Sequence, residues 1–347
     1  MAATSFLSGH HLDKGRKPMV ALVGLAALLS VTAVVGMAYV AGFDKVEHRL
    51  DSAEWWWLGP SFAAVVVSFA GYCFAYRAIK VAEGGPRIET STLLAVVIAG
   101  FGGFLAHGGT ALDEYAMRAG GENQREANVR VGALTGFELG GLALIVCPAS
   151  IVALILGVVI PRTDFTWPWA VIPPIGFVVA FWLSERYRDR LRERDGWRGK
   201  LGFGFDVIHV VFAVFKNPRR YGIAVLGILL YWGADMFALW SATAAFGFQM
   251  TALAVIVAVG TGMFFTRRTA PLGGAGILMV ALVPTLWYGA AVPFAAATLG
   301  VAAYRFLTLW VPLPAAFAAL PRLRALARRD DSGGEKRATK REPALQH

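Results

Sequence analysis

From Met19 to Ala41 the chain carries no charged side chain. Wound as a helix at about 1.5 Å per residue, a run of that length crosses a hydrocarbon core about 30 Å thick. Comparable runs recur at Trp55 to Tyr76, Val131 to Ile160, Phe165 to Leu183, Tyr221 to Phe246 and Val292 to Leu320. The expectation is therefore an all-α polytopic membrane protein with about six full transmembrane helices. Composition agrees: 56% of the 347 residues are apolar and only 16% charged, too few charges to clothe an ordinary water-soluble domain.

Three further apolar runs, Thr92 to Ala106, Thr251 to Thr266 and Gly273 to Tyr288, reach only about 24 Å as helices. The placement of basic residues constrains them, because Lys and Arg in short loops gather on the cytoplasmic side. If every short run crossed, Ser184 to Lys200, with its seven basic residues, would face outside. If instead Thr92 to Ala106 enters, turns near Gly108 and returns through His107 to Arg118, all but six of the 33 basic residues become cytoplasmic. Lys45, Arg49 and Arg162 then lie outside, and Arg267, Arg268 and Arg305 at membrane depth. The second pair of short runs fits two crossings or one hairpin from outside; Pro271, Gly273, Gly274 and Gly276 favour a hairpin turn. The expected architecture is two re-entrant or short helical hairpins of opposite orientation, framed by six spans. Such inverted broken helices line polar sites in many transporters.

A cytoplasmic tail over 1–18, one transmembrane domain over 19–320 and a basic, disordered cytoplasmic tail over 321–347 follow, in the cell membrane with both termini cytoplasmic. Lys14, Arg16 and Lys17 precede the first run, which is longer than a signal-peptide core and reads as a span. Ser184 to Lys200 alternates acids and bases as a solvated helical extension does, and Phe203 to Phe215 reads as an interfacial helix. The net charge of +10 sits in loops and tail, so it signals membrane orientation and no nucleic acid. Cys73 and Cys147 lie within apolar runs, with neither disulfide nor metal spacing.

Ionisable groups at membrane depth cost about 2.5 to 3.5 kcal/mol each and are functional candidates. Arg267 and Arg268 beside the turn of Gly273 and Gly274 suit a phosphate, since guanidinium donates paired hydrogen bonds and glycine admits backbone N–H groups to an oxyanion. Snorkelling to an interface is the plain alternative. Arg305 must face the protein interior, where it meets Glu138, Asp235 or a ligand phosphate. Asp113, Glu114 and Arg118 lie on the returning leg of the first hairpin. There Glu114 and Arg118, at i and i+4, form an internal pair or serve a cavity. His107 and His209 lack the spacing of a metal site, no cofactor is implied, and no phosphate-binding loop for ATP is present.

Pro271-Leu272-Gly273-Gly274-Ala275-Gly276, followed by Ala303-Tyr304-Arg305-Phe306-Leu307-Thr308-Leu309-Trp310-Val311-Pro312, resembles the C-terminal signature of the lysylphosphatidylglycerol synthase transmembrane region, a flippase-like family. Gly102 to Arg118 is similar to an earlier block of that family, and the overall pattern of spans is similar too, so the resemblance covers roughly residues 19 to 320. Leu278 and Met279 stand where the family has an acidic residue, and a Pro of the earlier block is missing. Only a short tail follows Leu320, where some members carry a soluble aminoacyl-transfer domain. The resemblance implies lipid translocation, not lysine transfer, and a transporter in place of an enzyme is the expectation: an anionic phospholipid or polyprenyl-phosphate-linked lipid is the expected substrate and the bilayer the expected partner. An intramembrane lipid phosphatase or transferase is the alternative. So is a non-transporting partner of a lipid or glycan synthase, and a homodimer stays open.

Overall fold

The computed structural model describes residues 16–85, 89–100, 110–157, 163–191, 196–264, 274–319, 321–323 and 325. In chain order its helices are α1 (Arg16–Ala41), α2 (Phe43–Asp51), α3 (Leu58–Val81), α4 (Thr90–Gly100), α5 (Thr110–Ala119) and α6 (Gln124–Ile155). They continue as α7 (Thr166–Leu191), α8 (Gly196–Lys216), α9 (Pro218–Ala244), α10 (Ala252–Phe264), α11 (Ile277–Ala290) and α12 (Phe294–Arg305). A π turn over Phe306–Trp310 carries the last helix on to residue 319. Six helices, α1, α3, α6, α7, α9 and prolonged α12, are long and apolar enough to span a membrane, and no strand occurs among the described residues. This is a multi-pass membrane protein of the expected all-α class.

The scaffold is an antiparallel pair, α3 and α9. Buried Ser61, Ala64, Ser68, Gly71 and Ala75 recur along α3 at alternating steps of three and four, the seam by which small residues let two helices approach in lipid. Ser61 donates to the Ala238 carbonyl at 2.8 Å and Ser241 to the Trp57 carbonyl at 2.7 Å. At Gly71 and Gly227 the backbones touch: a Cβ on Gly71 would lie 2.6 Å from the Gly227 carbonyl oxygen, and one on Gly227 2.8 Å from that of Gly71. Every step forward on α3 is matched by a step back on α9 over about 21 Å.

This pairing fixes two ends for the bundle. Arg77, Lys80, Arg125, Arg130, Arg188, Lys216 and Arg219 gather where α3 stops and α6 and α9 start, which we term the basic end. There Arg130 donates to Glu122 and to the Ala82 carbonyl at 2.5 Å, a cation completing the C-terminus of α3. Burial pushes the Glu122 carboxyl up, against the Arg130 hydrogen bond and charge that pull it down; its Oε2 is buried and accepts no hydrogen bond among the described residues. At the opposite end Arg49 of α2 donates to the Phe246 and Gly247 carbonyls, at 3.1 and 3.2 Å, just beyond α9. Exposed aromatic rings ring both ends, Tyr39, Trp55, Trp56, Trp167 and Trp287 at one and Trp182 and Trp197 at the other, as at membrane interfaces.

Two helical hairpins start from these opposite ends. The pair α4 and α5 leaves α3 and returns to α6, with both feet at the basic end. The pair α10 and α11 leaves α9 and returns to α12, with both feet at the other. α10 and α11 are antiparallel: a Cβ on Gly262 would meet Leu282 at 2.6 Å, and one on Gly289 would meet Ala258 at 3.4 Å. With 13 and 14 residues they extend only about 20 Å. Gly276, which opens α11, rests against Leu29, midway along α1. The described legs of the second hairpin therefore end near half-height, and residues 265–273 between them lie outside the described residues. Residues 101–109, where the first is expected to turn, lie outside the described residues.

Of the charged extension expected over Ser184 to Lys200, residues 184–191 belong to α7 and residues 196–200 to α8, and residues 192–195 lie outside the described residues. The helix expected over Phe203 to Phe215 is α8, longer than its apolar core. Asp206 of α8 accepts from Arg188 of α7 at 2.9 Å and Arg125 of α6 at 3.2 Å, and ten residues on Lys216 donates to Glu185 of α7 at 2.7 Å. Ten residues advance about 15 Å, whereas Glu185 and Arg188 differ by about 4.5 Å along α7. So α8 lies obliquely across α7 at the basic end. The outermost spans are α1 and α7, with 6% and 11% of their apolar windows buried against 56% for the last span.

Candidate functional site

The last span begins after Pro293 and reaches mid-height at Tyr304 and Arg305. Consecutive helical side chains point about 100° apart, so these two serve different sides. Tyr304 is fully buried, and its hydroxyl lies 2.9 Å from both carboxylate oxygens of Asp235, itself 1% exposed on α9. Arg305 turns toward α1 and α11. Just after it the helix widens into the π turn, in which the Val311 amide donates to the Phe306 carbonyl at 3.1 Å; isolated π turns are frequent at functional sites. Thr308 ties the widened turn back, donating to the Tyr304 carbonyl at 3.0 Å and accepting from Arg305 Nη1 at 3.3 Å.

Arg305 lines a pocket of about 230 Å³ whose other walls include Ser30 and Val34 of α1, Gly276 and Met279 of α11, and Trp310. Val31, Val35 and Phe306, which also border it, are more than half exposed on the outer surface of the bundle, so the pocket opens sideways. Gly276 makes its inner corner. Its φ of +73° is left-handed, and a Cβ there would come within 2.8 Å of the Leu29 carbonyl oxygen, so a side chain is excluded twice over. The same residue starts α11, whose first amides carry the positive end of the helix dipole. A guanidinium and a helix N-terminus thus share a pocket walled mainly by apolar side chains, an arrangement whose field on an anion would be little screened by water.

Of the residues singled out in the sequence, Arg267, Arg268, Gly273 and His107 lie outside the described residues. Gly274 is buried beside this pocket's corner, also left-handed, with φ +74°. Asp113 is buried in α5. Glu114 and Arg118 pair at 3.7 Å across one helical turn, and Gln124 joins them: it accepts from Arg118 at 2.7 Å and donates to Glu114. That trio sits at the basic end where α6 starts, whereas Arg305 is midway along its span. Glu138, the other carboxylate considered for Arg305, accepts from the Tyr231 hydroxyl at 3.0 Å, and its carbonyl accepts from Trp232 at 2.7 Å. Ser30, Tyr304 and Trp310 were not marked out as site residues by their sequence. Ser30 sits in an otherwise plain span and gives no signal, but Tyr304 and Thr308, one turn apart around Arg305, are polar groups that such a span does not need. No group of three or more His, Cys, Asp or Glu gathers for a metal among the described residues.

No protein-family model matches the chain, and no curated protein matches it. The pocket and the frame that holds it therefore carry the functional argument.

Proposed function

We propose that this protein is a flippase-like transporter that moves an anionic lipid, a phospholipid or a polyprenyl-phosphate-linked lipid, between leaflets of the cell membrane, with both its termini cytoplasmic. The observation that carries the reading is Arg305, held at mid-height in a pocket that opens sideways where lipid lies. A guanidinium at that depth is costly in lipid, and an anion visiting the pocket would add to the contacts that hold it. Opposed hairpins and the resemblance of residues 271–276 and 303–312 to a flippase-like family support the same reading. In it Arg305 and the α11 N-terminus receive the headgroup phosphate while the acyl or prenyl tails stay in the bilayer; Arg267, Arg268, Gly273 and Gly274 join this phosphate site, and Asp113, Glu114 and Arg118 serve the opposite hairpin.

The test is leaflet exchange of fluorescent phosphatidylglycerol in liposomes holding the purified protein. Exchange is expected with wild type and is expected to fall at least about tenfold in Arg305→Ala, equivalent to one lost charge-assisted hydrogen bond. Arg267→Ala and Arg268→Ala are expected to weaken it as well. Release of phosphate or conversion of the lipid would replace this reading by an intramembrane phosphatase or transferase. No exchange, together with copurification of a lipid or glycan synthase, would replace it by a non-transporting partner.

A further inference from the structure

Asp235 is an acid placed where acids are rare: 1% exposed, midway along a spanning helix. Carboxylates at such depth mark ion or proton pathways more often than architecture. Its partner Tyr304 immediately precedes Arg305, at the junction of α helix and π turn. Any rearrangement of the Asp235–Tyr304 contact is therefore delivered within one residue to the guanidinium that faces the pocket. Below Asp235 by one turn on the same helix, Tyr231 donates to Glu138 and packs its ring 5.0 Å from that of Tyr72, continuing the polar groups toward the basic end.

We propose that Asp235 is a proton-binding site coupled to the pocket of Arg305, so that an anion in the pocket and a proton on Asp235 favour one another. This rests on the lipid-transport reading for its biological purpose, not for its chemistry. The step is a protonation: a proton from the aqueous phase converts the Asp235 carboxylate to a carboxylic acid, no other bond changes, and the reverse step returns the proton to water. Asp235 accepts from Tyr304, the residue before Arg305, so removing its negative charge strengthens the field the pocket offers to an anion. Linkage requires the anion in turn to promote proton uptake. The titratable and charged groups on the elements packed around α9 fall into two sets. Along the spans are Tyr304 and Arg305 of α12, Glu138 and Cys147 of α6, and Tyr72, Cys73 and Tyr76 of α3, and residues 252–264 of α10 contribute none. Toward the basic end are Arg77 and Lys80 of α3, Arg125, Glu126 and Arg130 of α6, and Arg198, Lys200, Asp206, His209 and Lys216 of α8, with Asp206 held by Arg125 and Arg188.

Two measurements on the purified full chain decide the matter. The first is infrared difference spectroscopy across a pH titration, comparing wild type with Asp235→Asn, an isostere of the protonated acid. A protonated-carboxyl band that appears as pH falls, is absent from Asp235→Asn and is displaced by Tyr304→Phe is expected; identical wild-type and Asp235→Asn spectra would overturn the proposal. The second is binding of short-chain phosphatidylglycerol in detergent at several pH values. Affinity is expected to rise with falling pH, by at most about tenfold per pH unit for one coupled proton, and to be flat in Asp235→Asn. Equal slopes in both proteins would overturn the coupling. If phosphatidylglycerol binds at no pH, the lipid-transport reading fails, and the infrared titration alone decides the Asp235 site.

Discussion

A single guanidinium concentrates the functional reading, and its geometry separates charge from shape. Lysine at position 305 keeps the charge but loses the planar fork that grips two phosphate oxygens. We therefore expect Arg305→Lys to retain weak phosphatidylglycerol binding while Arg305→Ala retains none, measured by the same titration. A second residue-scale prediction concerns Glu122. Because burial holds its folded carboxyl above the ordinary glutamate value, the folded protein takes its proton more readily than the unfolded chain does. That contribution to stability is complete at low pH and is lost as pH rises from the ordinary glutamate value through the raised one. Unfolding midpoints in detergent should show this decline in wild type and lose it in Glu122→Gln. A midpoint–pH profile unchanged by the substitution would refute it. Arg130→Met leaves Glu122 buried without its cation and should cost about 3 to 5 kcal/mol, read as a fall in the same midpoint.

The helices themselves divide into those that bear load through contact and those that meet mainly lipid. Gly71 and Gly227 belong to the first kind, since a side chain on either would strike the other's backbone. Gly71→Val is expected to destabilise by about 1 to 3 kcal/mol or more, whereas Gly24→Val, at a position of α1 with nothing within 4 Å, should leave the midpoint unchanged. Element existence was legible because apolar run length is a one-dimensional quantity: all six spans and the three short apolar helices could be read from it, whereas α5, with Asp113, Glu114 and Arg118, was reached only through the count of basic residues. Boundaries were less so. The start signal of α6, an Asn123–Glu126 capping box, lies eight residues before the apolar run at Val131, because α6 rises from the basic end before it turns apolar. The π turn was illegible for a different reason. Phe306 to Trp310 has the composition of any apolar helix, and its widening is set by what surrounds Arg305 and Thr308.

Taken whole, the molecule has two ends that differ in charge, a polarity that follows from antiparallel α3 and α9 and was legible in the counting of basic residues. Which end faces the cytoplasm is decided by labelling: Glu47→Cys on α2 is expected to react with an impermeant maleimide on intact cells, and Arg198→Cys on α8 only after permeabilisation. The reverse pattern would invert the orientation proposed above. What could not be read from one dimension is the meeting of Ser30 with Gly276 and Arg305: the last two belong to one C-terminal signature, but Ser30 lies far away in the first span and outside any motif. Among the described residues their pocket has no far wall on its outer side; Val31, Val35 and Phe306 only border it. A ligand anchored there is measured at its head alone, and whatever it trails outward meets no protein ruler. Short and long, saturated and branched tails should therefore compete on equal terms, making the site a reader of charge that is indifferent to chain length.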